Sequence, residues 1–544
     1  MKRKTRVISI VLLVAMLVMA CQSAFACTTV LVGRDATTDG STIATHNDDS
    51  SSADFRLWTI PRMEGGEGKT RDIVVDSHNY GDYGQYPAVK DYGNGLLAAQ
   101  MPQPEETFAY FHSRYSFINE KGVSMGESTF GIDDSTEYGK KVNDLIYKNN
   151  DGLIDCWNAQ DIALERASTA REAVEIMGRL AEEYIWRDPG ETINVADGNE
   201  CWIAEFYGRD LWAAVRMPSD GFFVAANRAR IDHIDFEDSE NYMYSPNLKS
   251  FAIENGLWKE GSEKFSPAEI YAPGDGLYST RREWRALDLV APSLKLDPNA
   301  KRFPLWVIPE KKLSVQDVFE LKGDYYQGTD YDVSLSPQAG PFGNPIDFNN
   351  VERTINMFRT CYVMIANVKA DLPDEMKCLV WYGYGAPDST YLTPLWPTMN
   401  ALPDLYTIGN RYEEFNRDSG WWTNSYVQQI ATINYQEAIK EIHAAREDKM
   451  NAQYEIVPKL QEVGAKLIAE GKAAEARELI TAYAYNNAAQ WHEKWLELGD
   501  DRMGTYMWGR KDMSGKGSTW PDYWKDIMKN APRNPGPAGA APVN

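Results

Sequence analysis

Apolar residues fall along the chain in two rhythms. Up to about residue 425 they come in short β-branched runs broken by turns. Residues 27–32 and 41–45, joined by a turn around Thr38-Asp39-Gly40, predict a hairpin. Residues 123–129, 192–195, 202–206, 211–215, 222–225 and 379–382 predict further strands. The spacing of Ala170, Ala173, Val174, Met177, Leu180 and Ala181 predicts a helix over 167–184, with shorter helices over 284–290 and 315–321. Strands and helices mix without regular βαβ alternation, which favours a layered α+β fold. From 426 onward Ala, Glu, Lys and Leu dominate, and Ala438, Ile439, Ile442 and Ala445 recur at helical spacing. This predicts two or three amphipathic helices, a helical extension over 426–530 packed on a body of residues 27–425. The Pro-, Gly- and Ala-rich end, 531–544, cannot build a core and is expected to be disordered.

The first 26 residues have a different design. Lys2, Arg3, Lys4 and Arg6 form a basic cluster, residues 7–20 are apolar apart from one serine, and Ala24-Phe25-Ala26 has the A-x-A form of a cleavage site. An apolar run of 14 residues is short of the roughly 20 that span a bilayer, so residues 1–26 are expected to be a signal peptide. Removing them takes four basic residues and no acid. The length falls from 544 to 518, the formal charge from −23 to −27, and the cysteines from six to five. No later run is long and apolar enough to cross a membrane, so the expectation is an exported protein, periplasmic or extracellular. A second reading stays open: Val18-Met19-Ala20-Cys21 resembles a lipoprotein signal, which would place a lipid anchor on Cys21.

With 43% hydrophobic and 12% aromatic residues, the chain has the composition of a folded globular protein. Its acidity argues against nucleic acid and anionic membranes as partners. Six cysteines in 544 residues cannot form a disulfide scaffold. Two motifs fail on inspection. Residues 65–70 (GGEGKT) echo a phosphate loop whose first glycine would fall on Met63, and the G-x-S-x-G around Ser124 lies inside a predicted strand with no helix after it. The histidines are scattered and no C-x-x-C occurs, so no metal site is expected.

Cleavage after Ala26 would leave Cys27 as the first residue. A free α-amine titrates near 7.7–8.0 and a thiol near 8.5, so one residue would carry both a nucleophile and its base. On the residues alone, Cys27 reads first as a small residue opening the first strand. Five cysteines leave at least one thiol unpaired, which suits a nucleophile without establishing one.

Several runs change that balance: CTTVLVG at 27–33, DGSTI at 39–43, NDDS at 47–50, NEKG at 119–122, GEST at 126–129, ETI at 191–193, ANRARI at 226–231, YSTRR at 278–282, Arg359-Thr360 and LVWYG at 379–383. In order and spacing they resemble the C69 dipeptidase family, N-terminal-nucleophile (Ntn) hydrolases related to bile salt hydrolases and penicillin V acylases. The resemblance covers most of residues 27–405. It implies a four-layer αββα sandwich followed by the helical extension, and no metal or organic cofactor. It also implies Cys27 as nucleophile, Asp49 orienting its α-amine, Asn227 binding the oxyanion, and Arg282 or its neighbour Arg281 lining the site. The arginine three residues before the aspartate is His46 here; support for the nucleophile then becomes weaker or pH-dependent, or the correspondence fails at that position.

The reading this favours is a secreted cysteine-dependent dipeptidase acting on short peptides. An acylase of N-acyl amides on the same fold is the alternative, and a non-enzymatic envelope binding protein is a third.

Overall fold

The computed structural model describes residues 27–50, 55–75, 96–262, 264–274, 276–346, 352–409 and 414–530. The signal peptide expected over 1–26 and the tail expected over 531–544 lie outside the described residues. The strands that position the site are β1 (Thr29–Val32), β2 (Thr42–Asp48), β3 (Ser124–Phe130), β4 (Gly190–Ala196), β5 (Cys201–Gly208), β6 (Leu211–Met217), β7 (Phe222–Ala225), β8 (Tyr362–Val368) and β9 (Cys378–Tyr384). The main helices are α1 (Cys156–Arg166), α2 (Ala170–Tyr184), α3 (Leu277–Val290), α4 (Val315–Lys322), α5 (Gly420–Ile433), α6 (Tyr435–Ala469) and α7 (Ala473–Tyr506).

The architecture is mixed α and β, with antiparallel sheets and a helical C-terminal region. One sheet has seven strands, in the order Trp306–Val307, β7, β1, β2, β8, β9 and Thr393–Leu395. The other has eight, in the order Tyr242–Tyr244, β6, β5, β4, β3, Ile118–Asn119, Tyr110–His112 and Trp58–Ile60. The hairpin expected at the start is present: β1 and β2 pair antiparallel, with Leu31 opposite Ala44. Register then fixes what stands beside what. His46 lies opposite Met364 and Asp48 opposite Tyr362 between β2 and β8, and Thr129 lies opposite Glu191 between β3 and β4.

The sheets face each other through Leu31, Ala44, Ile203, Val215 and Phe223, all buried. Helices α1 and α2 pack against the eight-stranded sheet, while α3 and α4 pack against the seven-stranded one. Where β3 crosses β2 the approach is closest, and it requires glycine. A Cβ on Gly126 would lie 2.1 Å from the Thr45 carbonyl oxygen and 2.8 Å from Thr29 Oγ1. Local signals set the helix ends. Thr169 caps α2 by accepting from Glu172 N, and Ser314 and Asp317 form a reciprocal capping box on α4.

The C-terminal helices share one core with the seven-stranded sheet. Trp491 of α7 stacks on Tyr391 at 4.4 Å, and Gln453 of α6 accepts from Trp491 Nε1 (2.8 Å) while donating to the Leu392 carbonyl (3.0 Å). Buried aromatic area supplies the stabilisation here, and the glutamine satisfies the indole N–H that would otherwise be buried unpaired. Among the described residues no helix is long and apolar enough to cross a membrane.

Candidate active site

Cys27 stands two residues ahead of β1 and is 1% exposed. Its thiol donates to Glu127 Oε1 at 2.8 Å, a partner 100 residues away on β3. Burial pushes the thiol well above its ordinary pKa, and the carboxylates of Glu127, Asp48 and Asp49 push it further.

The carboxylate flank is completed from β2, β4 and β8. His46 presents Nε2 to Glu127 Oε1 (3.0 Å) and Nδ1 to the Tyr362 hydroxyl (2.9 Å), which donates to the Tyr115 carbonyl (3.1 Å). Burial opposes a charge on Glu127, but the hydrogen bond from His46 and its charge outweigh it and hold the carboxyl below its usual range. Glu191, hydrogen-bonded to Glu127, goes the other way: burial and then the Glu127 charge push it well above the carboxylate range. Asp188 lies nearby, raised to about 6 by burial, and accepts from Cys156 N at the start of α1 (2.6 Å).

The opposite flank is cationic. Arg282, fully buried on α3, donates from Nη1 to the Cys27 carbonyl (2.9 Å) and Thr28 Oγ1 (2.9 Å). From Nη2 it donates to the Ala226 carbonyl (3.1 Å) and Asn227 Oδ1 (2.8 Å), and from Nε to the Tyr278 carbonyl (2.9 Å). Its five N–H donors thus meet five acceptors. Burial, with Arg353 nearby, pushes it down to about 10. Asp49 is fully buried and accepts from Arg353 Nη2 and from Thr360 Oγ1. Lys322, at the end of α4, is buried and donates to the Thr28 carbonyl; burial pushes it down to about 7, opposed by the charge of Asp49.

Asn227 follows β7 in the left-handed region, at φ 64°. Its backbone N–H donates to Ser128 Oγ (2.7 Å) and its Nδ2 to the Thr129 carbonyl (2.7 Å), so the side chain is held from both ends.

Of the residues singled out from sequence, the structure gathers Cys27, His46, Asp49, Asn227 and Arg282 around one point. Arg281 turns elsewhere: it pairs with Glu352 (2.8 Å) and lies over the Tyr331 ring (3.6 Å). His46 meets Glu127 rather than Asp49, and the cation facing Asp49 is Arg353. Ser124 of the G-x-S-x-G run opens β3 and donates to the Ala196 carbonyl (3.2 Å). Glu127, Glu191, Lys322, Arg353 and Thr360 were given no role by sequence reasoning; Glu127, Glu191 and Thr360 stood inside the quoted runs GEST, ETI and Arg359-Thr360, which was the one signal available. Cys27 Sγ, His46 Nε2 and Glu127 Oε1 lie within 4.8 Å of one another, a group among the described residues that could hold a metal; here they hydrogen-bond to each other. The five described cysteines are all free and buried.

Residues 26–448 match peptidase family C69. A probable dipeptidase of Latilactobacillus sakei is 28% identical over 439 residues, covering 76% of this chain and 85% of the relative. Probable dipeptidase A of Streptococcus pyogenes serotype M1 is 27% identical over 426 residues (76% and 83%). A dipeptidase of Bifidobacterium longum is 26% identical over 437 residues (74% and 76%).

Proposed function

The chain belongs to peptidase family C69 and is a hydrolase of peptide bonds, and from that premise we propose that it is an exported, cysteine-dependent dipeptidase with Cys27 as its nucleophile. The observation that carries the reading is the convergence of Asp49, Asn227 and Arg282 on a buried cysteine at the head of the first strand. The dipeptide substrate class is supported by the names of the relatives. Two facing antiparallel sheets with helices outside them support the αββα arrangement of the N-terminal-nucleophile hydrolases.

The chemistry follows from exposing the α-amine. Cleavage after Ala26 turns the peptide nitrogen of Cys27 into an amine of near-neutral pKa, which takes the thiol proton and places a cation beside the sulfur. Asp49, locked by Arg353 and Thr360, holds that cation. The thiolate attacks the peptide carbonyl carbon, forming a C–S bond, and the oxyanion receives the N–H of Asn227 Nδ2 not used by Thr129. Such a donor is worth about 3–4 kcal/mol in other enzymes. The C–N bond then breaks as the α-ammonium protonates the leaving amine. Water adds to the thioester, the C–S bond breaks, and the thiol and α-amine are restored with both amino acids released. With every donor engaged, Arg282 fixes the Cys27 carbonyl and the Asn227 amide; it is a positioning residue.

The test is Cys27→Ala and Cys27→Ser in enzyme whose mature N-terminus is established by mass spectrometry. Dipeptide hydrolysis is expected to fall about 10³-fold or more with the melting temperature nearly unchanged. Activity in Cys27→Ala, or active enzyme retaining residues before Cys27, would overturn the reading.

A further inference from the structure

Among the described residues the thiol's side-chain hydrogen-bond partner is an acid, Glu127, and that acid is a poor base. Glu127 is held below the usual carboxylate range, so it has little pull on the thiol proton. Beside it, Glu191 is 2% exposed and its Oε2 has no hydrogen-bond partner among the described residues. The neighbouring acids have structural tasks: Asp155 caps α1 through Asn158 N (3.0 Å) and Asp188 receives Cys156 N. Asp155 Oδ2 also has no partner among the described residues, but Asp155 already caps a helix through Oδ1, whereas Glu191 is hydrogen-bonded to Glu127 and through it lies next to Cys27. A buried acceptor left unpaired is costly, and the Glu127–Glu191 pair carries negative charge that His46 meets by direct contact at Glu127 Oε1.

Covalent geometry says what belongs there. In a dipeptide the α-amine is two bonds from the scissile carbonyl carbon, about 2.5 Å away. When that carbon sits against Cys27 Sγ, the amine is necessarily within a few ångströms of the sulfur. A carboxylate oxygen 2.8 Å from Sγ is in reach of it. On the footing that Cys27 is the nucleophile, we propose that Glu127 and Glu191 form the subsite for the substrate's free α-ammonium, so that the site selects peptides with an unblocked amino terminus over N-acylated ones. The ammonium offers three N–H donors; Glu127 takes one by charge and Glu191 Oε2 a second, which satisfies the unpaired oxygen. An N-acyl group would bring a neutral amide and added bulk against two buried acids, with no cation to offset them.

The test compares L-alanyl-L-alanine with propanoyl-L-alanine, which lacks only the amine, and with N-acetyl-L-alanyl-L-alanine, in the mature enzyme. The unmodified enzyme is expected to favour the free amine by about 100-fold in kcat/KM, the scale of one or two charged hydrogen bonds. Glu191→Leu, which removes the acceptor, is expected to raise KM for L-alanyl-L-alanine about tenfold while changing kcat/KM for propanoyl-L-alanine by less than about twofold, and Glu127→Gln to compress the preference further. Equal losses for both substrates in both variants, or no preference in the unmodified enzyme, would overturn the proposal. Calorimetric binding of L-alanyl-L-alanine to mature Cys27→Ala with and without Glu191→Leu gives a readout independent of turnover. A weaker Kd in the double variant is expected, and an unchanged one overturns the proposal. Residual activity in Cys27→Ala would refute the nucleophile instead, so the two failures are distinct.

Discussion

Around Cys27, cations and carboxylates occupy different flanks, and the two flanks are satisfied to different degrees. Arg282 commits five donors to five acceptors, Arg353 and Thr360 both reach Asp49, and Lys322 bonds the Thr28 carbonyl. Across Cys27, Glu191 keeps an oxygen without a partner among the described residues, and Glu127 is bound by a thiol and a histidine. With every donor engaged, Arg282 is framework: it ties the segment at Cys27 to Thr28, Ala226 and Asn227. An unsaturated flank is where a ligand's own donors fit. Buried charge alone therefore does not mark where a ligand sits; on the proposed reading, leftover hydrogen-bonding capacity beside Cys27 does.

The largest effect should come from breaking the saturated flank. Arg282→Met leaves the Cys27 carbonyl, Thr28 Oγ1 and Asn227 Oδ1 buried without their donor, and is expected to cost about 3–5 kcal/mol in urea unfolding. Arg282→Lys should recover little, since an ammonium has three donors and no fork. A loss below about 1 kcal/mol would show that the clamp is not framework.

Lys322 gives a pH-resolved test of the same flank. Its folded value of about 7 lies below that of an exposed lysine, so between pH 7 and about 10.5 the unfolded chain binds more protons than the folded one. Stability from this group therefore rises with pH across that window, by up to about 1.4 kcal/mol per unit. Lys322→Met should remove the rise, so that its stability relative to the parent falls from pH 7 to pH 9.5. Parallel stability curves for the two proteins would contradict this.

The smallest effect sharpens the contrast. Thr360→Val deletes one hydroxyl from Asp49 but leaves the arginine in place, and should cost about 1 kcal/mol with a modest drop in kcat. If it matched Arg282→Met, the ranking of partners on this flank would be wrong.

Much of the scaffold was legible in sequence because its signals are local. The hairpin of β1 and β2, the amphipathic α2 and the change of texture near 426 all come from neighbouring residues. Helix α1 was not legible: ten of its eleven residues are buried, so it shows no polar stripe to mark a period. The site divides in the same way. Cys27, Asp49, Asn227 and Arg282 stand in recognisable runs, whereas the pairings that matter most span 100 residues for Cys27–Glu127, 294 for Thr28–Lys322 and 304 for Asp49–Arg353. Lys322 in particular sits in the last turn of a helix, where a lysine ordinarily reads as an exposed complement to the helix dipole.

Gly126 carries a consequence for motion. At that point the strand bearing Glu127 meets the strand bearing His46 as backbone against backbone, with no rotatable bond between them. Rotamer hops, which loosen ordinary cores on picosecond to nanosecond scales, have nothing to act on there. The spacing between the two strand backbones is thereby set by van der Waals radii, and it should stay constant while the side chains they carry, Glu127 and His46 included, fluctuate about it.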